Sequence, residues 1–352
     1  MQGANMKKIV VLLLVICMAL LPACRPRDSA RPDSEISILV YITGVIAGSP
    51  THEMLAAGAL EFAAEHENVT VRIYEAGFNQ AEWEEQLRSL VADGSYDLVL
   101  GSNPSLPEIS ANVGRVFPSQ QFIIMDAQYS GNPHISTFLY NQYEQALFLG
   151  YLAGLVTTSD MPHTNTSKRI GFIAAQEFPL LTRHIVPGFL HGARMVDPDI
   201  ELDFRVIGNW FDATKAAELT SSMISAGVDV FTSIAGGAAQ GLIRTIQSHA
   251  LTGESAYAVF FNTNEYNEAP GLIIGCGSLE TQRLVTEILT DFLAGNIHFG
   301  SSRTVGVQDG YITFIFDDPG FSGHLPVEIQ ERFGAFMDDL RAGRIAYTIP
   351  PL

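Results

Sequence analysis

The residues able to do chemistry are few, and they belong to binding rather than to bond making. No His-Glu-x-x-His and no Gly-x-Ser-x-Gly occurs, the nine histidines are scattered, and no cysteine pair could hold zinc. Glu53, Glu75, Glu177 and Asp126 supply carboxylates of the kind that act in pairs on glycosidic bonds, but nothing in their spacing couples them. The expectation is a chain that is not an enzyme and holds neither metal nor cofactor. What recurs instead are amides, glycines and aromatics, at Gly44, Ser49, Asn103, Asp126, Tyr129, Gln176, Phe178, Trp210, Gly237 and Asn262. Amide side chains and exposed backbone both donate and accept hydrogen bonds, which suits a neutral polar solute. Trp210, Phe178 and Tyr129 offer flat faces for a ring, while Phe211 is expected in the hinge or core. No arginine falls in this set, so phosphate, sulfate and free carboxylates are disfavoured guests.

These residues matter only if the fold gathers them. From Ile36 onward, short β-rich runs alternate with helical patterns, as in parallel sheets built from βαβ units. The runs are Ile38 to Ile42, Val69 to Tyr74, Leu98 to Leu100, Phe122 to Met125, Ile170 to Ala174, Leu202 to Ile207, Val228 to Ile234, Tyr257 to Phe261 and Gly271 to Gly275. Most are apolar without alternation, as strands covered on both faces must be. Met54, Leu55, Gly58, Ala59, Phe62 and Ala63 recur at helical spacing after Ser49-Pro50, a cap and first-turn pair. Every candidate above then falls at or just past the carboxyl end of a strand, where open parallel sheets take their ligands. Gly236-Gly237-Ala238-Ala239-Gln240-Gly241 lacks the lysine of a phosphate-binding loop and reads as close backbone approach.

The chain also repeats itself. Phe78-Asn79 opens a helical stretch through Gly94 into Tyr96-Asp97-Leu98-Val99, and Phe211-Asp212 opens another through Gly227 into Val228-Asp229-Val230-Phe231. Phe211 follows Phe78 by 133 residues, and Gly227 follows Gly94 by the same interval. Two similar α/β lobes are the natural reading.

The first residues read as an export signal: Lys7 and Lys8 precede an apolar run from Ile9 to Leu21 that is too short to span a bilayer. Leu21-Pro22-Ala23-Cys24 is similar to the lipobox of bacterial lipoproteins, which implies a signal over 1–23 and lipidation of Cys24. Residues 24–36 are polar, carry Pro26 and Pro32, and suit a flexible tether. With Cys17 and Cys24 accounted for, Cys276 is the one thiol left to the body, so no internal disulfide is expected. Lys plus Arg number 20 against 38 Asp plus Glu, a formal charge of -18 that argues against a nucleic-acid partner. These signals lead to the expectation of lipid anchoring at the periplasmic or extracellular face of a cell membrane, and the chain is expected to be a monomer.

Between about Ser37 and Asp317 the chain resembles the basic membrane protein family of substrate-binding lipoproteins, which includes the bacterial purine nucleoside receptor. The resemblance is carried by residues 117–126, 151–155 and 188–193, by Gly208-Asn209-Trp210-Phe211-Asp212 and by Ala235-Gly236-Gly237. It implies an α/β type I periplasmic-binding-protein fold with three hinge crossovers, and an ABC permease and ATPase as partners. On that fold the first lobe takes residues 37–139 and about 277–298, the second 140–276 and about 299–318, and a terminal helix covers 322–342. By the same resemblance Asp126 matches the acid that reads the base in nucleoside-binding members, and Trp210 the stacking aromatic. Asn262 replaces the family's ribose-binding acid, and its late lysine has no counterpart in Gly277 to Glu280. Segments 47–50, 75–83, 102–108 and 175–179 look more like the riboflavin-binding branch. Riboflavin is therefore the first expected ligand, as cargo rather than cofactor, and a purine nucleoside the second. A surface sensor that feeds no transporter is the alternative from another class.

Overall fold

The architecture is described from a computed structural model that covers residues 35–351 apart from Gly48, Glu254, Asn262 and Thr263. The expected signal, Cys24 and nearly all of the tether lie outside the described residues, as does Asn262.

Two six-stranded sheets organise the body. Strands β1 (Ile36–Ile42), β2 (Val69–Glu75), β3 (Leu98–Ser102), β4 (Gln121–Met125), β5 (Ile135–Tyr140) and β11 (Ser302–Val305) form the first, in the order β11-β5-β4-β3-β1-β2. The second comprises β6 (Arg169–Ala174), β7 (Glu201–Val206), β8 (Val228–Ile234), β9 (Tyr257–Phe260), β10 (Ile273–Leu279) and β12 (Ile312–Phe314), in the order β12-β10-β9-β8-β6-β7. Strand β1 pairs with β3, β3 with β4, β4 with β5 and β5 with β11 in parallel, as do β6 with β7 and β8, β8 with β9 and β9 with β10, whereas β12 joins β10 antiparallel. The two orders are the same, so the repeat in the sequence is a repeat in space. It extends to a detail at each sheet's amino edge. Asp97 accepts the Ser37 amide at 2.9 Å, and Asp229 accepts the Asn165 amide at 2.8 Å.

The continuous apolar runs have the expected cause. From Ile38 to Ile42 the side chains of β1 are wholly buried, because helices cover both faces of the sheet. On the first lobe these include α1 (Pro50–Glu65), α2 (Gln80–Val91), α3 (Leu106–Val116) and α8 (Thr281–Leu293). The second carries α4 (Gln142–Thr157), α5 (Val186–Arg194, preceded by a wider turn over Leu181–Ile185), α6 (Ala213–Ser225) and α7 (Ala239–Ala250). Two more follow, α9 (Pro319–Ser322) and α10 (Val327–Arg341), with α10 packed on α4 through the Tyr151–Phe336 stack at 3.9 Å. Among the described residues no helix is long and apolar enough to cross a membrane.

The chain passes between lobes three times: at Asn141 between β5 and α4, at Glu280 between β10 and α8, and over Gly306–Tyr311 between β11 and β12. This corrects two boundaries drawn from the sequence. Residues 299–318 do not all join the second lobe, because Ser302–Val305 hydrogen-bonds to β5 and extends the first sheet. Residues 277–279 belong to the second sheet rather than the first lobe, since β10 runs on to Leu279. The terminal helix begins at Val327, five residues later than expected, after the short α9. Strand β5 went unread for a physical reason. Its Ser136 and Thr137 look like a loop in sequence, yet both are buried, and the Thr137 hydroxyl bonds Tyr129 and Ser302.

The second lobe depends on an unusually close helix pair. A Cβ added at Gly150 would lie 1.9 Å from the Phe189 carbonyl, and one at Gly192 would lie 1.9 Å from that of Leu147. The small residues in 151–155 and 188–193 are thus there so that α4 and α5 can touch backbone to backbone. A side chain at either glycine must push the helices apart. Gly192→Val is expected to destabilise the protein by about 2 kcal/mol or more, measured by denaturant unfolding, whereas Gly94→Asn, whose neighbourhood is open, should cost far less.

Candidate ligand cleft

The crossovers decide which edges of the sheets face each other. Leaving the carboxyl end of β5 at Tyr140, the chain enters a helix of the second lobe after a single residue. Leaving the carboxyl end of β10 at Leu279, it enters a helix of the first lobe just as directly. Both carboxyl edges therefore meet at the hinge, where the Tyr140 hydroxyl donates to Thr281 Oγ1 at 2.9 Å in buried surroundings.

On the first lobe the most unusual group is Asp126, directly after β4. Its backbone is left-handed, with φ at 54°, a conformation that Asp and Asn tolerate better than most residues. Its Oδ1 is buried and has no hydrogen-bond partner among the described residues. Burial lifts the carboxyl from its ordinary 3.8 to about 6. Such an oxygen is costly unless something pairs with it, which marks it as a group held ready for a donor. The structural bond to a neighbouring loop that would make Asp126 a mere scaffold residue is missing at this oxygen.

The remaining first-lobe candidates divide. Asn103, just past β3, folds back to accept the Ser105 amide on Oδ1 at 2.8 Å, which leaves its NH2 for other partners. Gly44 is buried at φ 149°, and a Cβ there would stand 3.2 Å from the ring of Phe78. Ser49 occupies the N-cap of α1 before Pro50 as expected, but its hydroxyl makes no capping bond. Tyr129 is half-buried and packs against the core cluster that contains Tyr41, Leu106 and Ala127. Glu75 accepts the Ile46 amide and so ties down the loop after β1 rather than pairing with another carboxylate.

In the second lobe, Trp210 follows β7 and is 42% exposed. It is positioned by backbone: its carbonyl accepts the Ala238 amide at 3.1 Å, and its ring lies over Gly236, whose φ is 54°. Gly236 and Gly237 open a 3-10 turn ahead of α7, so the glycine-rich run serves close approach, as the sequence suggested. Gln176 is exposed and donates to the Gly208 carbonyl at 3.3 Å; Phe178 is half-buried. Phe211 overturns its expectation, being 81% exposed and thus neither hinge nor core. Asn209 explains this, because its Oδ1 accepts the Phe211 and Asp212 amides at 3.0 and 2.7 Å and turns the chain outward. Cys276, the one thiol left to the body, is buried inside β10, and burial pushes its thiol up to about 12, which makes it a packing residue.

Two residues were missed. Phe78 is 78% exposed beside Gly44 at the carboxyl end of β2, and the signal was available, since it sits where Phe211 sits in the other half. Tyr140 left no signal because its strand was not recognised. A cavity of about 560 Å³, lined by Thr157, Asp160, Asn165, Lys168 and Asp197 among others, lies at the opposite, amino edge of the second lobe. Loops from both lobes do not converge at that amino edge, so this cavity lies apart from the cleft. Among the described residues no cluster of His, Cys, Asp and Glu could hold a metal.

With this geometry in view, the similarity to known proteins is specific. The family model described as "ABC transporter substrate-binding protein PnrA-like" matches residues 35–329, and the chain belongs to that family. Among its relatives, the "ABC transporter nucleoside-binding protein BmpA" of Lactococcus lactis is 26% identical over 249 residues, 67% of this chain and 68% of that one. The "CD4+ T-cell-stimulating antigen" of Listeria monocytogenes is 26% identical over 164 residues, 47% of this chain and 43% of the relative, so the match spans less than half of that protein. A solved solute-binding protein of Aeropyrum pernix superposes with a TM-score of 0.71 at 21% identity, covering 90% of this chain and 94% of that one. That superposition carries the fold, a periplasmic-binding-protein architecture of two lobes joined by three crossovers.

Asp126 also gives a test of the site without ligand. Between pH 3.8 and about 6 the folded protein keeps a proton that the unfolded chain has lost, so stability falls as pH rises through that window and levels off above it. Asp126→Asn abolishes the loss. Its melting temperature should match that of the parent near pH 4 and exceed it at pH 7, as read by calorimetry at both values.

Proposed function

We propose that this protein is the capture subunit of an ABC uptake transporter, a lipoprotein anchored through Cys24, whose lobes close on a flat, neutral heteroaromatic solute. The observation that carries this reading is the unpaired, buried Oδ1 of Asp126 at the carboxyl edge of the first lobe. A ring N–H set between carbonyls would satisfy it with a charge-assisted hydrogen bond. The half-exposed face of Trp210 on the other lobe supplies stacking area, and Asn103 and Gln176 supply amides for the rest of the ring. Nothing in this arrangement activates a nucleophile, so capture and release, not turnover, is the proposed activity.

Riboflavin fits this set first: its imide N–H suits Asp126, and its ribityl chain needs hydroxyl partners rather than a ribose-reading acid, which is Asn262 here. A purine nucleoside is the second reading, supported by the name of the Lactococcus relative. Protein purified without Cys24, denatured and analysed by mass spectrometry should release a flavin; release of purine nucleoside alone would exchange the two. Trp210→Ala should weaken binding about tenfold to a hundredfold in titration calorimetry, the scale of a lost aromatic stack and its buried area, while Trp210→Phe keeps most of the affinity. Affinity should also decline as pH falls below about 6, because protonation removes the charge that makes Asp126 a strong acceptor.

A further inference from the structure

The segment after α10 lies beyond residues 35–329, the part that the family model matches, and it returns to the hinge. The Tyr347 hydroxyl donates to Oε1 of Glu144, and its ring stacks on Tyr143 with centroids 5.6 Å apart. Glu144 is 4% exposed and sits in the first turn of α4, just past the first crossover. Its other oxygen accepts the Val307 amide at 2.8 Å, within the third crossover. A single buried carboxylate thus joins two crossovers and the segment beyond the last helix. Further along, His184 meets the Pro350 carbonyl at 2.6 Å, with Nε2 as the donor. Ile349, Pro350 and Pro351 then form one side of a cavity of about 330 Å³ whose other side is Gln128, Leu139, Tyr140 and Thr304 of the first lobe. Gln128 is two residues past Asp126 and Tyr140 ends β5, so this space opens at the carboxyl edge of the first lobe beside the hinge.

We propose that Ile345–Pro351 is a wall of the ligand cleft, fastened to the second lobe by Glu144 and His184, which closes its hinge end and slows escape of the bound solute. Prolines fix φ, so the Pro350-Pro351 step presents a stiff surface rather than a yielding one. The fastening explains why a tyrosine faces a buried glutamate: each would otherwise be a polar group out of water without a partner. The proposal rests on the reading of the cleft as a solute site, but its structural half can be tested without solute.

Hydrogen exchange on the unliganded protein compares the full chain with one stopped after Arg344 and with Tyr347→Phe. The stopped chain should lose protection about tenfold or more at residues 139–141 and 304–307, and Tyr347→Phe should lose part of it while keeping the ring stack. Unchanged protection in both overturns the proposal, whatever the protein binds. For the functional half, riboflavin and inosine are used as probes in stopped flow. Stopping after Arg344 should raise the dissociation rate about tenfold and leave association nearly unchanged; equal dissociation rates overturn the wall. If the full chain binds neither probe, the ligand reading fails by itself, and the exchange result still decides the place of the segment.

Discussion

A sheet whose strands are parallel and covered on both faces has only its ends to offer a solute. That constraint organises this molecule twice over. The wholly buried run of β1 leaves no face of the first sheet open, and β8 is nearly as enclosed in the second. Everything polar that could meet a guest is thereby pushed to the loops at the carboxyl edges, where backbone amides and helix starts are already free to bind. Because the chain crosses at the ends of β5 and β10, these edges are turned toward one another, and a cleft results from topology before any side chain is considered.

Within that frame, the proposed specificity would come from groups left incomplete. Most polar atoms at the strand ends are occupied: Asn103 caps its own turn, Asn209 directs Phe211 outward, and Glu75 holds a loop. Asp126 differs, with a buried oxygen that has no partner among the described residues and a carboxyl that burial has made reluctant to ionise. Under the proposed reading a donor on the guest would relieve that cost, which is how a binding site favours one ring edge over another. In the same reading Trp210 would contribute area rather than direction, and its neighbour Gly236 is bare where the ring approaches the turn.

The second lobe and the hinge are held by close backbone approach and by a shared carboxylate. Helices α4 and α5 touch at Gly150 and Gly192, and the Glu144 carboxylate receives donors from separate parts of the chain. Under the proposed closure, lobe motion would be concentrated at the three crossovers. The buried Tyr140–Thr281 hydrogen bond spans two of them, so the pivot is held by polar geometry as well as by packing.

By itself the sequence determined the α/β class, the doubled lobe and the set of strand ends, because apolar runs of strand length and a 133-residue repeat are local properties that survive without coordinates. It also singled out Asp126 and Trp210. Tertiary structure alone decided what was non-local. Strand β5 hides its serine and threonine only because β11 arrives from 165 residues away to bond it. Tyr129 packs in part on the first lobe's core, and Phe211 was turned outward by Asn209. The segment near Tyr347 acquired a role only where it meets Glu144. Periodicity reports which residues are buried; which of them are buried together is set by chain crossings that no window of sequence contains.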